Sequence, residues 1–572
     1  MNFLKKYYLE RLKLIRMMTM EVGVNFLIKF SILSIFENIL DLLSLSFIIT
    51  LIFSQDKFLT SNIIQLSLEF NILLLLIFIA LKAISRAKLS IIKNRMILNL
   101  NQTIRDNLFS DLINSPLDII NSIGKSEALA SLRNNVSKTI ACLVEFVNLI
   151  RGLFSLIIFL IAFLSFLDYS IFYLIIGVSI TFGTAFFQKP KNWEIGSQLN
   201  KLNLSTLKTI SEGIYGLKTI KSMSYEDKLI KKLSKDTNEF NNLSDKSVRI
   251  ESFFNVYIDF LIAFLVIAWI TFRRDFVEPS FIVATLFIAY RTVSSFTGII
   301  KSYRMCLQLL PGYRDLILVR EKIIEKKYAQ KKSDHISFTY KFDKEINNSL
   351  IRSISWVFRN DSNSEISNLD FSKEKFAVIV GPSGSGKTSL LDKFCGLKNI
   401  SKSSWKLKFK NDNNFFDLNI SSQDLNCFIA YSIQETHLFE GSIYQNLIMG
   451  RNNLNQKDKK EINEEINFWL NKLGLLKRFS QFDIYEDNMK LFVNCFSGGE
   501  IQRMGIVRNI LAKKPIEVFD EPTAYLDDFW ANKVSEFLLE RSKQKVVIVS
   551  THDPRIISKA DNIIPAGDYF DF

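Results

Sequence analysis

Apolar residues gather in six runs, near 24–53, 62–84, 141–167, 170–188, 253–272 and 280–300. Each is long enough to cross a bilayer, because about 20 apolar helical residues cover the hydrocarbon core. The joins between them alternate. Those at 54–61, 168–169 and 273–279 are short; those at 85–140 and 189–252 are long, charged and helical in period. Lys and Arg crowd the long joins, whereas the short ones carry Lys57 and the Arg273-Arg274 pair. That asymmetry predicts cytoplasmic long joins and cytoplasmic termini. Residues 1–20 are basic and amphipathic (Lys5, Lys6, Arg11, Lys13, Arg16) and lack the small-residue cleavage site of a secretory signal. They predict an interfacial helix before the first span. A six-helix, all-α membrane domain is therefore expected over 21–320, followed by a linker over 321–338.

From 339 to 572 the pattern changes. The chain becomes polar, and short β-rich runs (Lys375–Val380, Cys427–Ile433, Ile516–Phe519, Lys545–Ser550) are separated by helical stretches. That alternation predicts an α/β domain with a parallel sheet. The overall 48% hydrophobic content and 50 Phe thus average over two unlike halves, in a 572-residue chain too long for one core. A formal charge of +14 first raises nucleic acid. The cations flank apolar runs, however, which fits lipid headgroups and not nucleic acid. The five cysteines (142, 306, 395, 427, 495) are odd in number and never form C-x-x-C. They predict reduced thiols, with neither a disulfide framework nor a zinc site.

The chemistry starts at Gly381-Pro382-Ser383-Gly384-Ser385-Gly386-Lys387-Thr388, between a predicted strand and a helix. Its glycines permit a turn whose N–H groups converge on phosphate. Lys387 is placed for the β- and γ-phosphates and Thr388 for Mg²⁺; Ser383 and Ser389 complete the cradle. Asp520 ends an apolar strand and offers a carboxylate to Mg²⁺. Glu521, next in sequence, is the candidate general base. The plain alternative is a solvated acidic pair at a strand end.

Between loop and acidic pair stands Phe496-Ser497-Gly498-Gly499-Glu500. The ordered set resembles the nucleotide-binding domain of ABC transporters, through motifs over about 340–572 and through architecture in the six-span half. The resemblance implies ATP and Mg²⁺ as cofactors, and an α/β P-loop ATPase domain with a helical subdomain. Ser497, Gly498, Gly499 and Glu500 become the signature turn, with Ser497 and Gly499 on the γ-phosphate held by a partner's loop. Gln434 becomes the Q-loop residue that senses Mg²⁺ and water, Asp527 the D-loop aspartate, and His552 the switch histidine. Phe358 in Ile354-Ser355-Trp356-Val357-Phe358 aligns with the adenine-stacking aromatic, Trp356 being the second choice. Either is equally readable as a core aromatic. Phe496 and Glu500 replace the commoner Leu and Gln. Glu517 is unexpected in a buried strand: it lies either at an exposed strand start or beside a base.

The resemblance further implies a homodimer (a heterodimer is the alternative) with two ATP sites and domain-swapped intracellular loops, in the bacterial cytoplasmic membrane. Leu108 to Ala128 and Ile210 to Lys221 match the two coupling helices. Inside the spans, Asp41, Asp259 and Arg291 fall roughly 15–20 Å from the outer helix ends, with Glu37 and Arg151 slightly deeper; Glu37 and Asp41 share a face. Two readings stay open. These groups line a cavity for a zwitterionic or cationic amphipathic substrate, or they pair structurally, for example Asp259 with Arg291. The expected activity is ATP-driven efflux or flipping of an amphipathic peptide, lipid-linked glycan, lipid or drug. The alternatives are a regulatory or gating ATPase without transport, and an importer on an exporter fold.

Overall fold

A computed structural model describes residues 16–52, 68–165, 189–272, 279–333, 351–359, 366–398, 403–411, 414–420, 425–450, 459–479 and 496–569. The chain divides into two units, Met1–Ser115 with Ile119–Glu325, and Pro116–Asp118 with Lys326–Phe572.

The first unit is helical. Its long elements are Val24–Ile52, Leu68–Ile113, Val136–Ser165, Lys189–Tyr215, Glu226–Phe272 and Pro279–Ser333. Helices of 46, 47 and 55 residues run about 70–80 Å, more than twice the ~30 Å of a hydrocarbon core. The charged joins are thus continuations of the apolar helices. Among the described residues, Lys125–Ala162 is long and apolar enough to cross a membrane, with a mean hydropathy of 2.1. The run at 170–188, the join at 54–61 and residues 1–15 lie outside the described residues.

The last helix, expected to loosen over Lys326 to Asp334 within the linker, stays helical to Ser333. Residues 313–333 contain no Gly or Pro, and their Lys, Glu, Leu and Ile favour helix. Breaks come where the chain demands them. Leu68–Ile113 ends just before Pro116, and Gly124 turns the chain at φ 86°, a conformation that costs other residues about 1 kcal/mol or more. Leu108, Ile119, Val136, Leu143, Tyr313 and Leu316 are core residues of this unit. Cys142 and Cys306 point at each other's carbonyls, and they, Cys395 and Cys427 are free thiols.

The second unit holds two sheets. The antiparallel one has the order β2-β1-β4-β5, from Ile351–Arg359 (β1), Ile366–Ser372 (β2), Ser404–Asn411 (β4) and Asn414–Ile420 (β5). The parallel one has the order β6-β7-β8-β3-β9, from Ala377–Val380 (β3), Ile429–Ser432 (β6), Ile516–Asp520 (β7), Val546–Ser550 (β8) and Asn562–Pro565 (β9). β7 and β8 are buried at every position, as expected for a sheet covered on both faces. A cluster including Ile354, Trp356, Leu391, Val518 and Ile548 fills one side. A second, helical cluster joins Ile462, Ile466, Leu470, Ile506 and Leu538 to Phe519.

Glu517 is settled here. It is fully buried within β7, and Arg541 on helix Asp528–Ser542 donates to it through Nε at 3.1 Å and through Nη2. A carboxylate in an apolar strand persists because a guanidinium meets both its oxygens.

Candidate ATP site

In a parallel sheet the strand ends share one edge, where ligands bind. The register puts Asp520 beside Ser550, Ser550 beside Ile379, and Phe519 beside Ser432. The residues that follow β3, β6, β7 and β8 therefore meet there: the phosphate loop, Gln434, Asp520 with Glu521, and His552. Their spacing in sequence spans more than 150 positions; the sheet removes it.

The loop opens helix Lys387–Phe394, with Gly384 at φ 87° and Gly386 at φ 82°, left-handed geometry that only glycine adopts freely. Lys387 Nζ donates to the carbonyls of Gly381 (2.8 Å) and Pro382 (3.1 Å) and lies 3.4 Å from Glu521 Oε1. Ser383, Gly384 and Thr388 are exposed, and Ser389 Oγ accepts from Lys398 Nζ at 3.3 Å.

Asp520 is buried. Ser550 Oγ donates to its Oδ1, the Thr388 hydroxyl also hydrogen-bonds it, and Oδ2 has no partner among the described residues. Burial pushes its carboxyl above the ordinary range; Ser550 and Thr388 pull it down, while Glu521 adds to the rise. A buried, orphaned carboxylate oxygen next to a threonine hydroxyl is a hard, all-oxygen donor set that fits Mg²⁺. Thr388, Asp520 and the exposed Gln434 would hold that ion, which would neutralise phosphate charge.

Glu521 is 6% exposed and adopts φ 45°, strain of the kind that clusters at working sites. Its backbone N–H donates to Ser550 O at 2.9 Å, and Gln502 Nε2 donates to its carbonyl at 3.2 Å. Its carboxylate accepts from Thr551 Oγ1 at 3.1 Å, and His552 Nδ1 lies 3.0 Å from Oε1. The carboxylate is therefore held in one orientation by its neighbours. Thr551, Ser550 and Gln502 were not singled out in the sequence. The first two flank His552 in Ser550-Thr551-His552-Asp553, and hydroxyl residues at a strand end were the available signal.

The signature turn is built differently. Ser497 caps helix Gly498–Leu511: its Oγ accepts from Glu500 N–H (3.2 Å), and Glu500 Oε2 accepts from Ser497 N–H (2.8 Å). Glu in place of Gln thus completes a capping box. Gly499 lies so close to the next loop that a Cβ would sit 2.9 Å from the Tyr525 carbonyl. Asp527 caps the helix beginning at Asp528 through Trp530 N–H at 2.8 Å. Ser497 and Gly498 are exposed, and among the described residues no hydrogen bond or ion pair joins them to Gly381–Thr388. The expected adenine platform is also placed apart. Trp356 is 0% and Phe358 4% exposed, with ring centroids 3.9 Å apart, in the core.

In the helical unit, Glu37 meets Arg86 (3.1 Å) and Arg151, and Asp41 meets Lys82 and Arg291 (3.2 Å). Arg291 thus pairs with Asp41, 250 positions away in sequence; the side chain of Asp259, its expected partner, lies outside the described residues. Both carboxylates are paired with cations.

A family model described as ABC transporter matches residues 365–524. The phosphate import ATP-binding protein PstB of Mycoplasma mycoides subsp. mycoides SC is 31% identical over 206 residues, covering 36% of this chain and 84% of that protein. Its counterpart in Malacoplasma penetrans is 29% identical over 207 residues, 35% of this chain and 69% of that protein. Among solved structures, a bacterial Atm1-family ABC exporter with ATP bound superposes with a TM-score of 0.69 at 14% identity, over 95% of this chain and 94% of that one. That likeness establishes the fold, an exporter-type helical domain followed by an ATPase domain. The chain belongs to the ABC transporter family, and its fold is that of an exporter-type half-transporter.

Proposed function

We propose that two copies of this chain form an exporter or flippase that moves an amphipathic substrate out of the cytoplasmic leaflet. One observation carries the dimer: the signature turn is preorganised and exposed, yet among the described residues it makes no hydrogen bond or ion pair to its own phosphate loop. A second copy, rotated by a two-fold axis, supplies a loop to each turn and completes two sites at once. Lys387 and the loop N–H groups hold the phosphates, Glu521 polarises water, and His552 and Thr551 keep that carboxylate aimed.

The helical tip agrees with this. Ile214, Tyr215, Leu217 and Met223 are 69%, 84%, 51% and 74% exposed around Gly216. An apolar cluster at a polar helix end calls for a covering surface, as the second coupling helix would have on a partner's ATPase domain. Leu117 N–H donates to Leu397 O at 3.0 Å, which supports the first coupling helix.

Cysteines at Ser497 and Ser383, in a Glu521→Gln background, test the arrangement. Cross-linked dimer should form with ATP and vanish without it. Export is tested separately by ATP-dependent loss of a fluorescent lipid or peptide from the outer face of inside-out vesicles. Uptake in the opposite sense would establish import instead.

A further inference from the structure

The helical unit carries an unbalanced charge cluster. Glu37 and Asp41 lie one turn apart on helix Val24–Ile52, and four cations converge on them: Lys82 and Arg86 from Leu68–Ile113, Arg151 from Val136–Ser165, and Arg291 from Pro279–Ser333. Among the described residues, two carboxylates against four cations leave a formal excess of two positive charges. Arg151 belongs to the helix that is long and apolar enough to cross a membrane, where uncompensated charge is costly and marks a working site.

Exposure shows which partner has capacity left. The side chains of Glu37 and Asp41 are 4% and 10% exposed, whereas those of Arg86, Arg151 and Arg291 are 63%, 34% and 30% exposed. The acids are enclosed and the cations keep an open side. Two buried donors in the same place have no partner among the described residues, Arg291 Nε and Asn38 Nδ2. Asn38 is only 9% exposed, and its Oδ1 accepts from Ser155 Oγ at 3.3 Å, which leaves its amide N–H groups available.

We infer that this cluster binds a doubly charged phosphate group, with the guanidinium forks of Arg86, Arg151 and Arg291 as its donors. The proposal rests on the transport reading and names the charge of the substrate's polar end: an acidic amphiphile, in place of the cationic one that the sequence alone allowed. Glu37 and Asp41 offset two of the four positive charges and so set how strongly the cluster attracts an anion.

The test uses the full chain in phosphatidylcholine nanodiscs. Phosphatidic acid and glycerol 3-phosphate, a lipid-borne and a soluble phosphomonoester, are titrated separately and retention is read by native mass spectrometry. Wild type should retain at least one of them, and which one identifies the source. Arg86→Gln with Arg151→Gln should weaken retention about tenfold. Glu37→Gln, which enlarges the positive excess, should strengthen it, so the sign remains decisive if the double variant fails to fold. Retention of neither probe, equal retention by wild type and double variant, or weaker retention by Glu37→Gln each overturns the inference. Binding is read without ATP turnover. Retained phosphate with no vectorial movement would refute the transport reading alone, and export of a substrate that ignores the cluster would refute the inference alone.

Discussion

Both units bury carboxylates, and they neutralise them in opposite ways. In the ATPase unit Glu517 has a single guanidinium partner, Arg541, 24 positions away, while Asp520 and Glu521 sit together at the end of β7 among hydroxyls, a lysine and a histidine. In the helical unit Glu37 and Asp41 are each shared by two cations from helices 41 to 250 positions distant. A sheet lines up its strand ends through backbone bonds, so a short motif suffices to make a site there. Helices have no such register between them. Their charges meet only through packing, and the surplus of one sign is a property of the bundle and of no single segment.

Removing the Glu521 carboxylate should separate the two regions most sharply. Glu521→Gln should lower single-turnover ATP hydrolysis by about 10²–10⁴-fold, while equilibrium ATP binding stays within a few-fold. Comparable loss of both would mean that the residue builds the fold and is not the base. Arg541→Met leaves Glu517 buried without a partner and should cost about 3–5 kcal/mol, read as lower thermal stability of the ATPase unit. Adding Glu517→Val should recover most of that. No recovery would show that the pair does more than neutralise itself.

Gly499→Ala is a smaller effect. Its methyl meets the Tyr525 carbonyl, and the forced shift should cost about 1–3 kcal/mol, appearing as slower ATP turnover through a displaced signature turn. Unchanged turnover would show that the Tyr525 loop yields. The smallest concerns Asp553. Burial raises its pKa, but hydrogen bonds from Arg555 and Thr523 and the Arg555 backbone hold it below the ordinary carboxylate value. A depressed folded value means that its contribution is complete above the unfolded pKa and fades as pH falls through the folded one. Asp553→Asn should therefore lower stability by about 1 kcal/mol near neutrality. The gap to wild type should close below about pH 4; a gap that persisted in acid would place the loss in packing.

Much of the ATP site was legible because Gln434, Asp520, Glu521 and His552 lie within two positions of a strand end, and those buried strands are written as short apolar runs. What supports those residues was less so. Gln502 acts on Glu521 from a neighbouring helix and nothing local marks it, and Thr551 was marked only as a hydroxyl at a strand end. Phe358 shows the limit of a local match. The aromatic stands at the aligned position, but its ring packs on Trp356 in the core, because β1 pairs on both sides and turns that face inward.

The chain by itself determined the two-part organisation, the helical and α/β classes, and the order in which phosphate loop, signature and acidic pair appear. These follow from periodicity and short-range chemistry, which each segment carries wherever it is placed. Only the tertiary structure decided which base neutralises Glu517, that Arg291 pairs with Asp41, and that four cations gather on Glu37 and Asp41. Those outcomes depend on distances between segments far apart in sequence, set by packing that minimises exposed apolar area and leaves the polar groups to find partners within it.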